Sequence, residues 1–202
     1  MTRKNTRAAR APNSGDYIRI EDMGFLTDVN FNDEKKVLAL ALENEIRGRE
    51  LYTQYANTVG SGLAKRVFVH LANEELSHIE DIKEFLKSLP MGINLDVEKM
   101  TKPVSLRKTQ EFFGKLVEDL LEQIRPTDDD NKSRDVAMAI EKASYEYYRK
   151  GAEATRNQKV RKFFKWLMEQ EQSHFMLIRN AFEYANNPET WFTEQEHWLL
   201  EG

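Results

Sequence analysis

Cysteine is absent from all 202 residues. That gap excludes disulfides, thiolate metal sites, iron–sulfur clusters, cysteine nucleophiles and any electron relay built on cysteine, so a metal held by this chain must take oxygen and nitrogen ligands. Long apolar runs are missing too. None approaches the roughly 20 residues that cross a bilayer, and no membrane association is expected. With a net charge of −4, a pI near 5.7 and no basic stripe interleaved with aromatics outside the first residues, nucleic acid is not an expected partner either. No segment has the strict alternation of a strand. The opening MTRKNTRAARAPNSG is basic, acid-free and without the apolar stretch of a secretory signal. We read residues 1–30 as a flexible tail, with an organelle-targeting peptide as the alternative, and residues 31–202 as a single domain of a cytoplasmic protein.

What is present is helical periodicity. Residues 33–58 carry an apolar stripe at Leu38, Ala41, Tyr52 and Tyr55, interrupted only by Glu45 and Gly48, and GSG at 60–62 ends it. A second helix over about 63–89 places Ala64, Val67, Leu71, Ile82, Phe85 and Leu89 in register. Residues 90–128 form a long connection with its own amphipathic helix near 105–125. After the acidic start TDDD, a third helix is expected over about 130–156 and a fourth over about 158–186, with a short terminal helix beyond the NPET break. The two hairpins are copies. Offsetting the chain by 96 residues matches Ala41 with Ala137, Glu45 with Glu141, Tyr52 with Tyr148, Phe68 with Phe164, Leu71 with Leu167, Glu75 with Glu171, His78 with His174 and Ile82 with Ile178, without a gap. Two copies predict a closed pseudo-two-fold four-helix bundle. If residues 90–128 span it, helices two and three run parallel and the short turns sit at opposite ends.

The repeated polar residues lie on the core stripe. Glu45 and Glu75 each stand 15 residues from Gly60, and Glu141 and Glu171 stand 15 residues from Arg156, so each pair meets at one height, roughly 22 Å from its turn. His78 and His174 follow their glutamates by three residues, on the same face. Four buried carboxylates repel one another unless something positive joins them. The stripes offer no Lys or Arg at that height, whereas two divalent cations balance four carboxylates. This donor set suits iron or manganese better than copper or a lone tetrahedral zinc.

Through ALENEIRGRELYTQYA, LANEELSHIEDI, AIEKASYEYYRKGAE and LMEQEQSHFMLI, residues 33–186 resemble the ferritin-like superfamily, nearest its rubrerythrin-like branch. The resemblance implies an all-α ferritin-like four-helix bundle with a long crossover between helices two and three and a short C-terminal helix. It also implies two iron ions, with manganese or a mixed iron and manganese pair as alternatives. Glu75 and Glu171 would bridge the metals, Glu45 and Glu141 would each bind one, and His78 and His174 would be terminal ligands. The activity implied is oxidation of Fe(II) with reduction of dioxygen or hydrogen peroxide, in a homodimer. An oxygenase acting on an organic substrate and an iron-handling protein without turnover are the alternatives. Two departures stand out: Ser144 occupies the position where rubrerythrins carry a further ligand glutamate, and without a cysteine-ligated rubredoxin module the electron donor must be a separate protein. His174 argues against a shell-forming ferritin, which generally lacks the second histidine. Tyr52 and Tyr148, seven residues after Glu45 and Glu141, lean back toward the carboxylates and are candidates to hydrogen-bond a metal ligand, with core packing as the equal reading. Gly48 and Ser144 either leave room for the oxidant or permit close helix packing. His70 and His197 lie off the ligand register, and we expect them at the surface.

Overall fold

The computed structural model describes residues 29–31, 33–89 and 127–188. They form four helices: α1 Glu34–Thr58, α2 Gly62–Ser88, α3 Asp128–Ala154 and α4 Gln158–Asn186. Each begins where a short polar side chain satisfies a free backbone N–H. Asp33, Ser61, Thr127 and Asn157 accept from Lys36, Ala64, Asp130 and Lys159 respectively, and Thr127 with Asp130 completes a reciprocal capping box. The expected helices over 105–125 and at the C-terminus, and His197, lie outside the described residues. Among the described residues, no helix is long and apolar enough to cross a membrane.

α1 packs along α2, and α3 along α4, as two antiparallel hairpins that face each other. Hydrogen bonds at the ends fix how they are stacked. The Asp130 carboxylate accepts from the backbone N–H groups of Gly60 at 2.8 Å and Ser61 at 3.1 Å, so the α1–α2 turn sits at the start of α3. At the other end Glu34 accepts from the Thr155 hydroxyl and the Asn157 amide, so the α3–α4 turn sits at the start of α1. The two turns therefore lie at opposite ends, α2 and α3 run parallel, and the end of α2 stands a bundle length from the start of α3, as expected if the long connection spans the bundle. Glu34 and Asp130 are themselves 96 residues apart. Each hairpin's first helix contributes one acid that holds the other hairpin's turn.

Asp130 is fully buried and also accepts from the Thr127 N–H at 2.8 Å. Asp130→Ala would strand three backbone donors, and we expect it to cost about 3 kcal/mol, seen as a melting temperature lower by roughly 10 °C. Glu34→Ala, which releases only side-chain partners in a half-buried site, should cost clearly less. Equal losses in calorimetry would show that the turns are not held in this way.

The core has three layers. Toward the α1–α2 turn, Leu51, Tyr52, Tyr55, Phe68, Leu71, Ile140, Ile178 and Phe182 form one apolar cluster. Toward the α3–α4 turn, Val37, Leu38, Ile82, Phe85, Tyr148, Phe163, Phe164, Trp166 and Leu167 form another. Helices α3 and α4 approach closely where a β-carbon on Gly151 would come within 2.9 Å of the Phe164 ring. Between the two clusters lies a buried polar layer.

Candidate metal centre

That layer contains Glu45 from α1, Glu75 and His78 from α2, Glu141 from α3, and Glu171 and His174 from α4, none more than 3% exposed. The structure brings all six together. Their donor atoms form two groups, Glu45–Glu75–His78–Glu171 and Glu75–Glu141–Glu171–His174, and within each group the atoms lie within 4.8 Å of one another. Glu75 and Glu171 belong to both. The His78 and His174 rings stack at 5.2 Å, and Trp166 stands edge-on to His78 at 5.6 Å.

The electrostatics are those of a site short of positive charge. His78 Nδ1 lies 3.2 Å from both Glu45 and Glu75 carboxylates, and His174 Nδ1 lies 3.6 Å from Glu75 and 3.5 Å from Glu141. Burial, with the charge of Glu75 adding to it, raises the Glu45 carboxyl from its ordinary value to about 8. Burial and then the charges of Glu45, Glu141 and Glu75 push Glu171 well up as well. Glu75 moves the other way: burial opposes its ionisation, but the close approach of Glu45, His174 and His78 outweighs it and holds the carboxyl well below its usual range. Burial likewise opposes charge on the imidazoles and loses to the carboxylates, leaving His78 at about 9 and His174 well above its ordinary value.

Protons do not complete the site. Glu141 Oε2, Glu171 Oε1 and both ring nitrogens of His174 are buried without a hydrogen-bond partner, an arrangement that costs about 1–3 kcal/mol per group. Every one of these atoms is a metal-ligand type, and all belong to the same two groups. Cations among them would satisfy the stranded lone pairs and the excess of carboxylates at once, so the residues fit a pair of metal ions.

Tyr52 and Tyr148 do reach the layer, but each crosses to the opposite hairpin. The Tyr52 hydroxyl donates to Glu141, and the Tyr148 hydroxyl donates to Glu45. Because α1 and α3 run antiparallel, a ring that leans back along its own helix ends beside the carboxylate of the other. Burial and the neighbouring carboxylates push both phenols well above their ordinary value, which keeps them neutral donors. A β-carbon on Gly48 would meet only the Glu75 carboxylate, at 3.8 Å, which is ordinary contact, so close packing does not require the glycine. Ser144 is buried at the matching place on α3. His70 is half-buried on α2 and outside both groups; burial lowers its pKa, and the charge of His174 adds to the effect. Trp166, Asn44 and Gln170, buried next to the ligand positions, had no counterpart in the 96-residue repeat to single them out.

A family model for rubrerythrin matches residues 36–182. The chain belongs to the rubrerythrin family. Among solved structures, a hypothetical protein from Pyrococcus furiosus superposes with a TM-score of 0.51 at 18% identity, covering 83% of this chain and 96% of that one. At that identity the likeness establishes the fold alone. Among curated proteins no match is found. The family assignment accords with the two buried Glu/His groups, which could each hold a metal ion.

Proposed function

We propose that this rubrerythrin-family chain is a non-haem di-iron carboxylate protein that oxidises Fe(II) and reduces dioxygen or hydrogen peroxide, re-reduced by a separate donor protein. The observation that carries the reading is the pair of buried donor groups sharing Glu75 and Glu171. Glu75 and Glu171 would be shared between the two ions, Glu45 with His78 would hold one, and Glu141 with His174 would hold the other. Bound there, two Fe(II) ions supply two electrons, enough with two protons to take one hydrogen peroxide to two waters.

The chain's own residues do the rest. The Tyr52–Glu141 and Tyr148–Glu45 hydrogen bonds fix the orientation of one carboxylate on each side and tie the hairpins together across the site. As neutral phenols beside the carboxylates, both tyrosines hold a proton within the layer. The aromatic clusters above and below exclude bulk water, which strengthens every charge interaction between them. Gly48 leaves space beside the Glu75 carboxylate and Ser144 is small at the matching place on α3, which would give dioxygen or peroxide room beside the ligands.

Stopped-flow oxidation of the Fe(II)-loaded chain by each oxidant tests the proposal. Both should oxidise it, and peroxide should be slower than is usual for the family because Ser144 replaces the further glutamate. Ser144→Glu should then raise the peroxide rate roughly tenfold and the dioxygen rate less. A chain that holds two irons and reacts with neither oxidant overturns the function. No gain in Ser144→Glu with both irons bound shows that the missing carboxylate does not limit the chemistry.

A further inference from the structure

Residues 155–168, TRNQKVRKFFKWLM, carry five cations and no acid, in a chain whose net charge is −4. Arg156, Lys159, Lys162 and Lys165 are exposed, and the three lysines follow one another at three-residue spacing, rising about 9 Å along α4 from its start. Arg161 is engaged, its guanidinium donating to the carbonyls of Ala152 and Thr155. The acids that border the stretch are engaged as well: Glu153 pairs with Arg149 at 2.7 Å, and Glu34 accepts from Thr155 and Asn157. The placement works against the helix. A helix N-terminus favours acids, and α1 and α3 begin with them at Glu34 and at Asp128, Asp129 and Asp130, whereas the first turn of α4 has none. Helix stability therefore does not account for these cations; attraction of an acidic partner does.

Directly after Lys165 comes Trp166, which is buried and stands edge-on to His78 at 5.6 Å. Phe163 stacks on the indole at 5.6 Å and Phe85 stacks on Phe163 at 4.2 Å, which fixes the ring in place. The repeat shows that the fold does not require this column. At the equivalent positions of Trp166, Phe163 and Phe85, the other side of the layer has His70, Val67 and Ala181. One conjugated side chain thus joins the basic face of α4 to His78, and only on that side of the layer. We propose that this face docks a small acidic protein that carries one electron at a time, and that Trp166 bridges the electron from the docked carrier to His78. Without cysteine the chain has no thiolate-held cluster to relay charge, so the carrier must come close to the buried layer itself. Tunnelling falls off steeply across gaps and aliphatic packing, and an indole between the surface and an imidazole shortens both. The indole keeps its own electrons and no bond changes. Two encounters, each oxidising one carrier molecule, return two Fe(III) to Fe(II). Encounters of this kind use small interfaces steered by charge, which a patch of four exposed cations supplies. The docking surface stands without the di-iron reading, whereas the electron route rests on it.

Two measurements on the full-length chain test the two parts. The first titrates the metal-free chain with an oxidised flavodoxin and an oxidised rubredoxin, acidic carriers with different cofactors. Calorimetry at low salt should find binding, and amide resonances should shift around residues 159–166. Lys162→Glu with Lys165→Glu should weaken it at least about tenfold at low salt and much less at high salt, while the same reversal at Lys132 and Lys142 on α3 should have a clearly smaller effect. The second mixes the oxidised iron-loaded chain with the reduced carrier in stopped flow. The two lysine reversals should raise the carrier concentration that gives half the maximal rate and leave the limiting rate unchanged. Trp166→Leu should do the opposite, lowering the limiting rate roughly tenfold with docking intact. Trp166→Phe, which keeps a ring against Phe163, should fall between the two and carries the test if the leucine variant loses its metal. Reduction by the methyl viologen radical, a small cation that needs no basic face, should be no slower in the lysine variant. Failure of both carriers to bind, binding indifferent to the lysine reversals, or a limiting rate unmoved in Trp166 variants that still hold two irons would overturn the proposal. Docking at α4 by a chain that takes up no metal pair would uphold the surface and overturn the di-iron reading instead.

Discussion

A full-length chain with both Glu75→Ala and Glu171→Ala is expected to lose its metal ions, with affinity for Fe(II) or Mn(II) down by at least about a thousandfold. The unmodified chain should saturate at two ions. The size of the effect follows from sharing: Glu75 and Glu171 appear in both donor groups, so removing them leaves Glu45 with His78 on one side and Glu141 with His174 on the other. Two donors cannot hold a divalent ion against water. Single changes at the unshared positions should behave differently. Glu45→Ala spares all four donors of the second group, so elemental analysis should find close to one ion. Circular dichroism in the presence of a chelator should find both variants folded, because the apolar clusters on either side of the layer hold the bundle. Saturation of the unmodified chain at one ion, or metal binding unmoved by the double change, would sink the assignment of the six ligands.

Much of this arrangement was legible in the sequence because it is written twice. The 96-residue offset fixed the helix pairs and their heights, and helix bounds read from periodicity fall within two residues of those observed. A carboxylate at 45 or an E-x-x-H at 75 is ambiguous alone; the same residues recurring in the same register against core apolars cannot be a solvated face. What the repeat could not convey is contact between its copies. Nothing in the spacing of Tyr52 from Glu45 reveals that the hydroxyl binds Glu141, since that depends on the antiparallel packing of α1 against α3. Asp130 read as a first-turn acid suited to the helix dipole, yet its carboxylate also binds the Gly60 and Ser61 N–H groups at a turn some 70 residues away in sequence. Gly48 was visible as a gap, but only the Glu75 carboxylate beside it distinguishes free space from close packing.

The metal-free chain should be most stable near pH 5 and lose stability steadily toward pH 9, a direction opposite to that of a protein held together by ionised carboxylates. Glu45 is raised from 4.5 to about 8, so as pH rises through that interval the unfolded chain releases a proton that the folded chain retains, and folding is penalised until about pH 8. His78 is raised from 6.5 to about 9; the stability it contributes is complete below 6.5 and is gone once pH passes 9. The upward shifts of Glu171 and His174 act in the same sense. Glu75, held below its usual range, contributes stability above 4.5 and loses it as pH falls, which sets the acid edge of the maximum. Melting followed by circular dichroism in chelator should therefore drop by on the order of 10 °C between pH 5 and pH 9. Metal ions compete with the same protons, so the stabilisation gained on loading should grow across this range and flatten the profile. Glu45→Gln with Glu171→Gln replaces two titrating groups by amides that are neutral at every pH, and should remove much of the slope in the metal-free chain. A melting temperature that is level or rises from pH 5 to 9 in the unmodified metal-free chain would show that the buried layer does not carry these protons.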